Sequence, residues 1–174
     1  VQDGAAQVHS DAPNNIAFDW EIGDKEKTDA AFANAAHVAH LEMINNRLIP
    51  NAMEPRAVLA DYNNITGDLA VYMTTQNPHI HRLLMSLASL GLPEHKIRVI
   101  APEVGGGFGS KIHHYADEAL TSWASMQVGR PVKWVATRSE TYLTDAHGRD
   151  HVTTAELAID GDGKILGLRV DTLA

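Results

Sequence analysis

Three consecutive glycines, Gly105-Gly106-Gly107, run into Phe108-Gly109-Ser110-Lys111 and impose the strongest local constraint in the chain. Residues without a Cβ open backbone conformations that others avoid and expose successive N–H groups, so the stretch must be a loop whose main chain can approach a ligand closely. Its neighbours fix the setting. Residues 96–101 alternate as a strand before it, and after it Ala116, Ala119, Leu120, Trp123 and Ala124 fall on one helical face, with Gly129 and Pro131 closing that helix. Strand, glycine loop, helix is an order suited to holding an anionic or polar group. The loop is not a P-loop, because Ser110 separates Gly109 from Lys111 and Ile112 follows where a magnesium-binding hydroxyl is needed. It is not a dinucleotide fingerprint either: Gly105-x-Gly107-x-x-Ser110 lacks the third glycine and its acidic ribose partner. A simple tight turn is the alternative, but an aromatic set between glycines calls for a surface to cover.

The rest of the chain alternates short strands and helices. After a turn-rich segment around Pro13, a strand is expected over residues 16–22, then a helix capped by Thr28 or Asp29 and running to residue 36, then a strand over 37–49 ended by Pro50. Residues 57–62 and 69–75 read as a hairpin about Asn63-Asn64-Ile65-Thr66-Gly67-Asp68. Asn77-Pro78 then starts a helix with Ile80, Leu83, Leu84 and Leu87 on a core face and Gly91 as its stop. A strand over 132–137 and a C-terminal hairpin follow, with Thr153, Ala155, Leu157, Ile159, Leu166, Leu168 and Val170 facing inward around the turn at 160–163. The fold class is α+β, a mixed sheet with hairpins and two main amphipathic helices.

Composition narrows the chemistry. Fourteen Lys+Arg against 22 Asp+Glu give a charge of -8, and no basic run exceeds two residues, which argues against nucleic acid as a partner. The absence of cysteine removes disulfides, thiolate metal sites and cysteine nucleophiles together. No run is apolar and long enough to span a membrane, and a cytoplasmic location is expected. The ten histidines have no shared ligand spacing. His79 and His81 diverge on a helix, His37 and His40 point to opposite faces of a strand, and Asp145, His147, Asp150 and His151 form a string without a pattern. Direct metal ligands are therefore not expected. Asp117-Glu118 reads as a solvated pair, and no Ser-His-Asp set is visible. Gln76, at the end of an apolar strand before the helix cap, would hold a neutral amide at the carboxyl edge of the sheet, where ligands gather.

Thr74-Thr75-Gln76-Asn77-Pro78-His79 and, about thirty residues on, Gly105-Gly106-Gly107-Phe108-Gly109-Ser110-Lys111 together resemble the molybdenum hydroxylase family, which includes xanthine dehydrogenases, aldehyde oxidases and carbon monoxide dehydrogenases. Met53-Glu54-Pro55-Arg56 and Ile112-His113-His114-Tyr115 extend the resemblance over essentially the whole chain, most strongly toward the large subunit of carbon monoxide dehydrogenase. The resemblance implies that Gln76 is the catalytic glutamine that hydrogen-bonds an oxygen ligand of molybdenum. It implies that Gly106, Gly107, Phe108 and Gly109 pack against the metal and dithiolene end of a molybdopterin. It also implies a domain portion of 174 residues, divided as a lead-in segment and strand over 1–27, a helix and strand core with the glycine loop over 28–137, and a loop and hairpin over 138–174.

The departures from the family pattern bear on substrate. Ile112 stands where purine-oxidising members have a glutamate after the loop lysine, which counts against purines. Family large subunits are several times longer, and their remainder supplies the general-base glutamate, most dinucleotide contacts and, in the copper enzymes, a cysteine ligand that this chain lacks. The implied partners are the rest of the molybdenum-binding subunit, separate Fe–S and FAD subunits, and a small-molecule substrate, with no competence in this chain alone. Two other readings stay open at this level: a phosphate- or nucleotide-binding module using the glycine loop and Lys111, and a non-catalytic scaffold of the same fold.

Overall fold

A computed structural model describes residues 4–174. In chain order the elements are α1 (Lys25–Ala33), β1 (His37–Asn45), β2 (Ala57–Asn63), β3 (Asp68–Met73), α2 (Pro78–Leu84), β4 (Ile97–Ile100), α3 (Ala116–Val128), β5 (Val132–Val135), α4 (Arg138–Thr144), β6 (His151–Ile159) and β7 (Ile165–Leu173). They form two compact units. One is Leu48–Gly148, and the other joins the residues up to Arg47 with Arg149–Ala174. The chain thus changes unit at 47/48 and 148/149.

The Leu48–Gly148 unit is a four-stranded mixed sheet, order β4-β3-β2-β5. The β2–β3 hairpin forms as expected, because Asn63 Oδ1 accepts the N–H groups of Ile65 and Thr66 and Gly67 takes a left-handed φ of 73°. Alternation then buries Val58 and Ala60 on β2 and Leu69, Val71 and Met73 on β3, and Met85 and Ile97 complete the core. Strands β3 and β4 are parallel, which requires the crossover made by α2, the π-helical turn Met85–Leu90 and the left-handed Gly91.

Both helices turn a face to the core that hydrophobicity does not mark. On α2 and its continuation the buried residues are His81 and Met85, while Ile80, Leu83 and Leu87 are exposed. On α3 the buried residues are Glu118, Thr121, Ser122 and Ser125, while Leu120 and Trp123 face solvent. Small hydroxyls let α3 approach the sheet closely, and each is satisfied: Ser122 donates to the Glu118 carbonyl, and Ser125 donates to the Arg130 carbonyl and accepts from Tyr62 N–H. Residues 138–144, expected as loop, form α4, capped by Thr137, which accepts from Glu140 N–H while Glu140 accepts from Thr137 N–H. The Thr-x-x-Glu spacing was the sequence signal for it.

The other unit is a three-stranded antiparallel sheet, order β1-β6-β7, with α1 packed against β7. No strand forms at residues 16–22, and α1 begins earlier than expected because Asp24, not Thr28 or Asp29, accepts the orphan Lys27 N–H. Strand β1 ends at Asn45 rather than 49. In the terminal hairpin Leu166, Leu168 and Val170 are exposed, and Ala158 is the fully buried apolar residue among those described in this unit. Among the described residues no helix is long and apolar enough to cross a membrane.

Candidate functional site

Strand β3 delivers Gln76 to the carboxyl end of the sheet, and the glycine loop folds over it. Gln76 N–H donates to the Lys111 carbonyl at 3.0 Å, and Gly109 N–H donates to Gln76 Oε1 at 3.0 Å. Because the loop offers a donor, the amide atom facing it must be oxygen, and the Gln76 NH2 is left without a protein partner among the described residues. The approach is so close that a Cβ on Gly107 would collide with the Gln76 amide, and one on Gly105 would lie 2.6 Å from Glu54 Cβ. At Gly109, where φ is 97°, the Cβ position opens onto empty space. Phe108 has φ 52°, a conformation costly for an aromatic residue, and its ring is 76% exposed. The backbone N–H groups of Gly106, Gly107 and Phe108 also donate to no protein atom among the described residues. The five expected site residues are therefore gathered at one place, with unspent donors on both the side chain and the backbone.

Beneath the loop lies a polar network. Glu54 accepts Gly105 N–H at 2.7 Å and pairs with Lys111 Nζ at 3.1 Å, so Lys111 is buried and committed to the protein rather than offered to a phosphate. Ser110 donates to the Gly107 carbonyl, and the Tyr115 hydroxyl donates to the Ser110 carbonyl. Arg56, fully buried, fixes the layer below: it binds Asp145 at 2.6 Å and Asp117 through both terminal nitrogens, and stacks 3.7 Å over the Tyr115 ring. Burial alone would weaken its hold on the proton, but Asp117 and Asp145 keep the guanidinium raised above its ordinary value. Asp117 and Glu118 are thus not a solvated pair: one is clamped to Arg56 and the other is buried.

The loop does not open directly into a long helix. A single 3-10 turn, Ser110–Ile112, intervenes before α3, whose first turn already holds two carboxylates, so a helix dipole adds nothing at the glycines. Behind Gln76, Thr75 Oγ1 meets His81 Nδ1 at 2.8 Å, and His81 Nε2 meets the His113 carbonyl at 3.0 Å and Glu118 at 3.4 Å. Burial acts to lower the His81 pKa, yet Glu118 and the carbonyls of His113 and Asn77 hold it above the ordinary imidazole value. His114 is shifted the other way by burial and by neighbouring His81, against the pull of Glu118. No spacing rule pointed to this cluster, because its members come from α2, the loop and α3.

The sequence from residue 8 to 174 matches the molybdopterin cofactor-binding domain. The chain belongs to that family. It is 44% identical, over 92% of its length, to the carbon monoxide dehydrogenase large chain of Hydrogenophaga pseudoflava, and 46% identical, over the same share, to that of Afipia carboxidovorans. In each case it covers 20% of the relative. Its fold matches that of reconstituted CO dehydrogenase from Oligotropha carboxidovorans with a TM-score of 0.79 and 46% identity, covering 89% of this chain and 19% of that one. This portion of a molybdopterin cofactor-binding domain thus spans about a fifth of the length of the curated relatives it matches.

Proposed function

We propose that the chain is part of the molybdopterin-binding subunit of a molybdenum hydroxylase of the carbon monoxide dehydrogenase or aldehyde oxidase type. The observation that carries this is the Gly109 N–H held on Gln76 Oε1, which aims an unpaired neutral amide donor beside glycine backbone whose own N–H groups are unspent. Gln76 is the catalytic residue in this reading, and Gly106, Gly107, Phe108 and Gly109 are the cofactor contacts. A molybdopterin fits: the Gly109 position is open, a side chain at Gly107 would displace the glutamine, and the exposed Phe108 ring has a surface to cover. When bound, the cofactor supplies the metal redox chemistry by which oxygen from water reaches a small substrate.

The protein's own share is positioning. An amide donates a hydrogen bond without adding charge, so Gln76 polarises a group near the metal end of the cofactor and leaves the charge balance of the site alone. Glu54 and Lys111 brace the glycine loop from below, and Arg56 stacks on Tyr115, whose hydroxyl donates to the Ser110 carbonyl at the loop's end. Activity requires the remainder of the subunit for the general base, and Fe–S and flavin subunits to carry electrons away. The reading places that complex in the cytoplasm. A phosphate-binding module is disfavoured because Lys111 is buried in its pair with Glu54.

The test is Gln76→Ala in the assembled enzyme. Turnover should fall about a hundredfold, the scale for losing one preorganised donor, with molybdenum content and folding retained. Turnover equal to the unsubstituted enzyme would remove Gln76 from the catalytic role.

A further inference from the structure

His81, His114 and Glu118 each offer one ligand atom, and these atoms lie within 4.8 Å of one another. His81 and Glu118 are buried and His114 is half-buried, so the group is largely withdrawn from solvent. We propose that they form a structural binding site for a divalent transition-metal ion of the zinc type, distinct from the cofactor site and set behind the Gln76 loop.

Four observations lead there. The Nδ1 atom of His114 is buried and has no hydrogen-bond partner among the described residues, an expensive state for an imidazole nitrogen unless something binds it. The outer nitrogen of each ring is held by a hydroxyl: His81 Nδ1 by Thr75 Oγ1 at 2.8 Å, and His114 Nε2 by Ser89 Oγ at 3.1 Å. His114 thus shows the pattern by which metal-ligating histidines are oriented, one nitrogen tied down and the other free for an ion, while His81 turns Nε2 toward Glu118 and the His113 carbonyl, contacts that an ion would replace. The separation also suits the metal. Bonds of about 2.0–2.1 Å in a tetrahedron place neighbouring ligand atoms roughly 3.3–3.4 Å apart, and His81 Nε2 lies 3.4 Å from Glu118 Oε2. The His113 carbonyl, 3.0 Å from the same nitrogen, is a further oxygen beside the group.

The fourth observation is charge. Arg56 is shared by Asp117, Asp145 and Glu118, so one guanidinium serves three carboxylates in a largely buried cluster. A divalent cation on Glu118 brings that cluster to neutrality, whereas a single proton on His81 offsets only part of the excess. Two imidazoles with one carboxylate select zinc-type ions over magnesium or calcium, which prefer all-oxygen cages.

The full chain, stripped with a chelator and titrated with zinc chloride against a chromophoric competitor, should take up one equivalent saturably. His114→Ala should weaken that affinity about tenfold or more, and cobalt(II) should give tetrahedral visible bands in the parent protein that His114→Ala loses. No saturable equivalent, or binding as tight in His114→Ala as in the parent, overturns the proposal, the second outcome assigning any uptake to the other histidines. Should His114→Ala fail to show the parent's circular dichroism, Ser89→Ala replaces it under the same criterion, since Ser89 is exposed and touches only the outer nitrogen. None of these readouts depends on the cofactor or on turnover.

Discussion

The two units of this chain contain sheets of similar size and stabilise them by different means. The Leu48–Gly148 sheet buries a contiguous apolar cluster, Val58, Ala60, Leu69, Val71, Met73, Met85 and Ile97, and backs it with a buried polar layer around Arg56. The β1-β6-β7 sheet holds its register through long antiparallel ladders, yet Leu41, Ile44, Leu168, Val170 and Leu173 all remain more than half exposed. Strand alternation is present in both. It decides which residues share a face of a sheet, and only a packed neighbour decides whether that face is dry. The proposed cofactor site lies on the unit with the dry core, which fits the need to hold Gln76 and the glycine loop to within a fraction of an ångström.

The largest expected effect comes from cutting the polar layer. Arg56→Met leaves Asp117, Asp145 and Glu118 without their cation in buried surroundings, and removing one partner of a buried charge pair costs about 3–5 kcal/mol. Urea unfolding followed at Trp134, which lies beside Arg56, should show the loss as a lower midpoint. A midpoint unchanged from the parent would mean that the apolar cluster alone secures this unit, and the contrast between the two units would reduce to core size.

A matched pair tests the apolar half of the contrast. Leu69→Ala, at a residue 1% exposed, should cost about 2–5 kcal/mol. Leu168→Ala, at a residue 60% exposed, should stay within about 0.5 kcal/mol. Equal losses would show that the Leu168 face is covered in solution, and that both sheets are dry on their apolar faces.

What the sequence made legible follows the same division. The β2–β3 hairpin and the start of α2 could be read because local rules govern them, an Asn-rich turn and a Pro at a helix start, whereas the meeting of Gln76 with the glycine loop was implied by the family resemblance of the two motifs and by no local rule. The buried faces of α2 and α3 could not be read. Hydrophobicity ranks Leu120 and Trp123 above Ser122 and Ser125, but the serines satisfy their own hydroxyls and let helix and sheet approach, so the polar face is the one that packs. Arg56 meets Asp117 and Asp145 across 61 and 89 positions of sequence, and no periodicity reports a pair so distant. Lys111 looked available for a phosphate for the same reason, since nothing near it in the chain announces Glu54.

The smallest effect belongs to the unit without a large core, where local contacts carry more of the order. Asp24 caps α1 by accepting Lys27 N–H at 3.0 Å and pairs with Lys27 Nζ. The Lys27 side chain and then its backbone N–H hold the Asp24 carboxyl below its ordinary value, against a slight upward push from burial. A carboxyl with a depressed folded-state pKa adds stability that is fully present above its unfolded value and is lost as pH falls through the lower, folded one. Protection of the Lys25–Ala33 amides, taken relative to the intrinsic exchange rate at each pH, should therefore fall as pH drops below the ordinary aspartate range. Asp24→Asn keeps an acceptor for the N–H and should flatten that pH dependence while leaving the helix formed at neutral pH; Asp24→Ala removes the acceptor and should loosen the helix at every pH. The two substitutions separate charge from capping. If Asp24→Asn retains the full pH dependence, the titrating group lies elsewhere in this unit, and Asp24 acts on α1 as a hydrogen-bond acceptor alone.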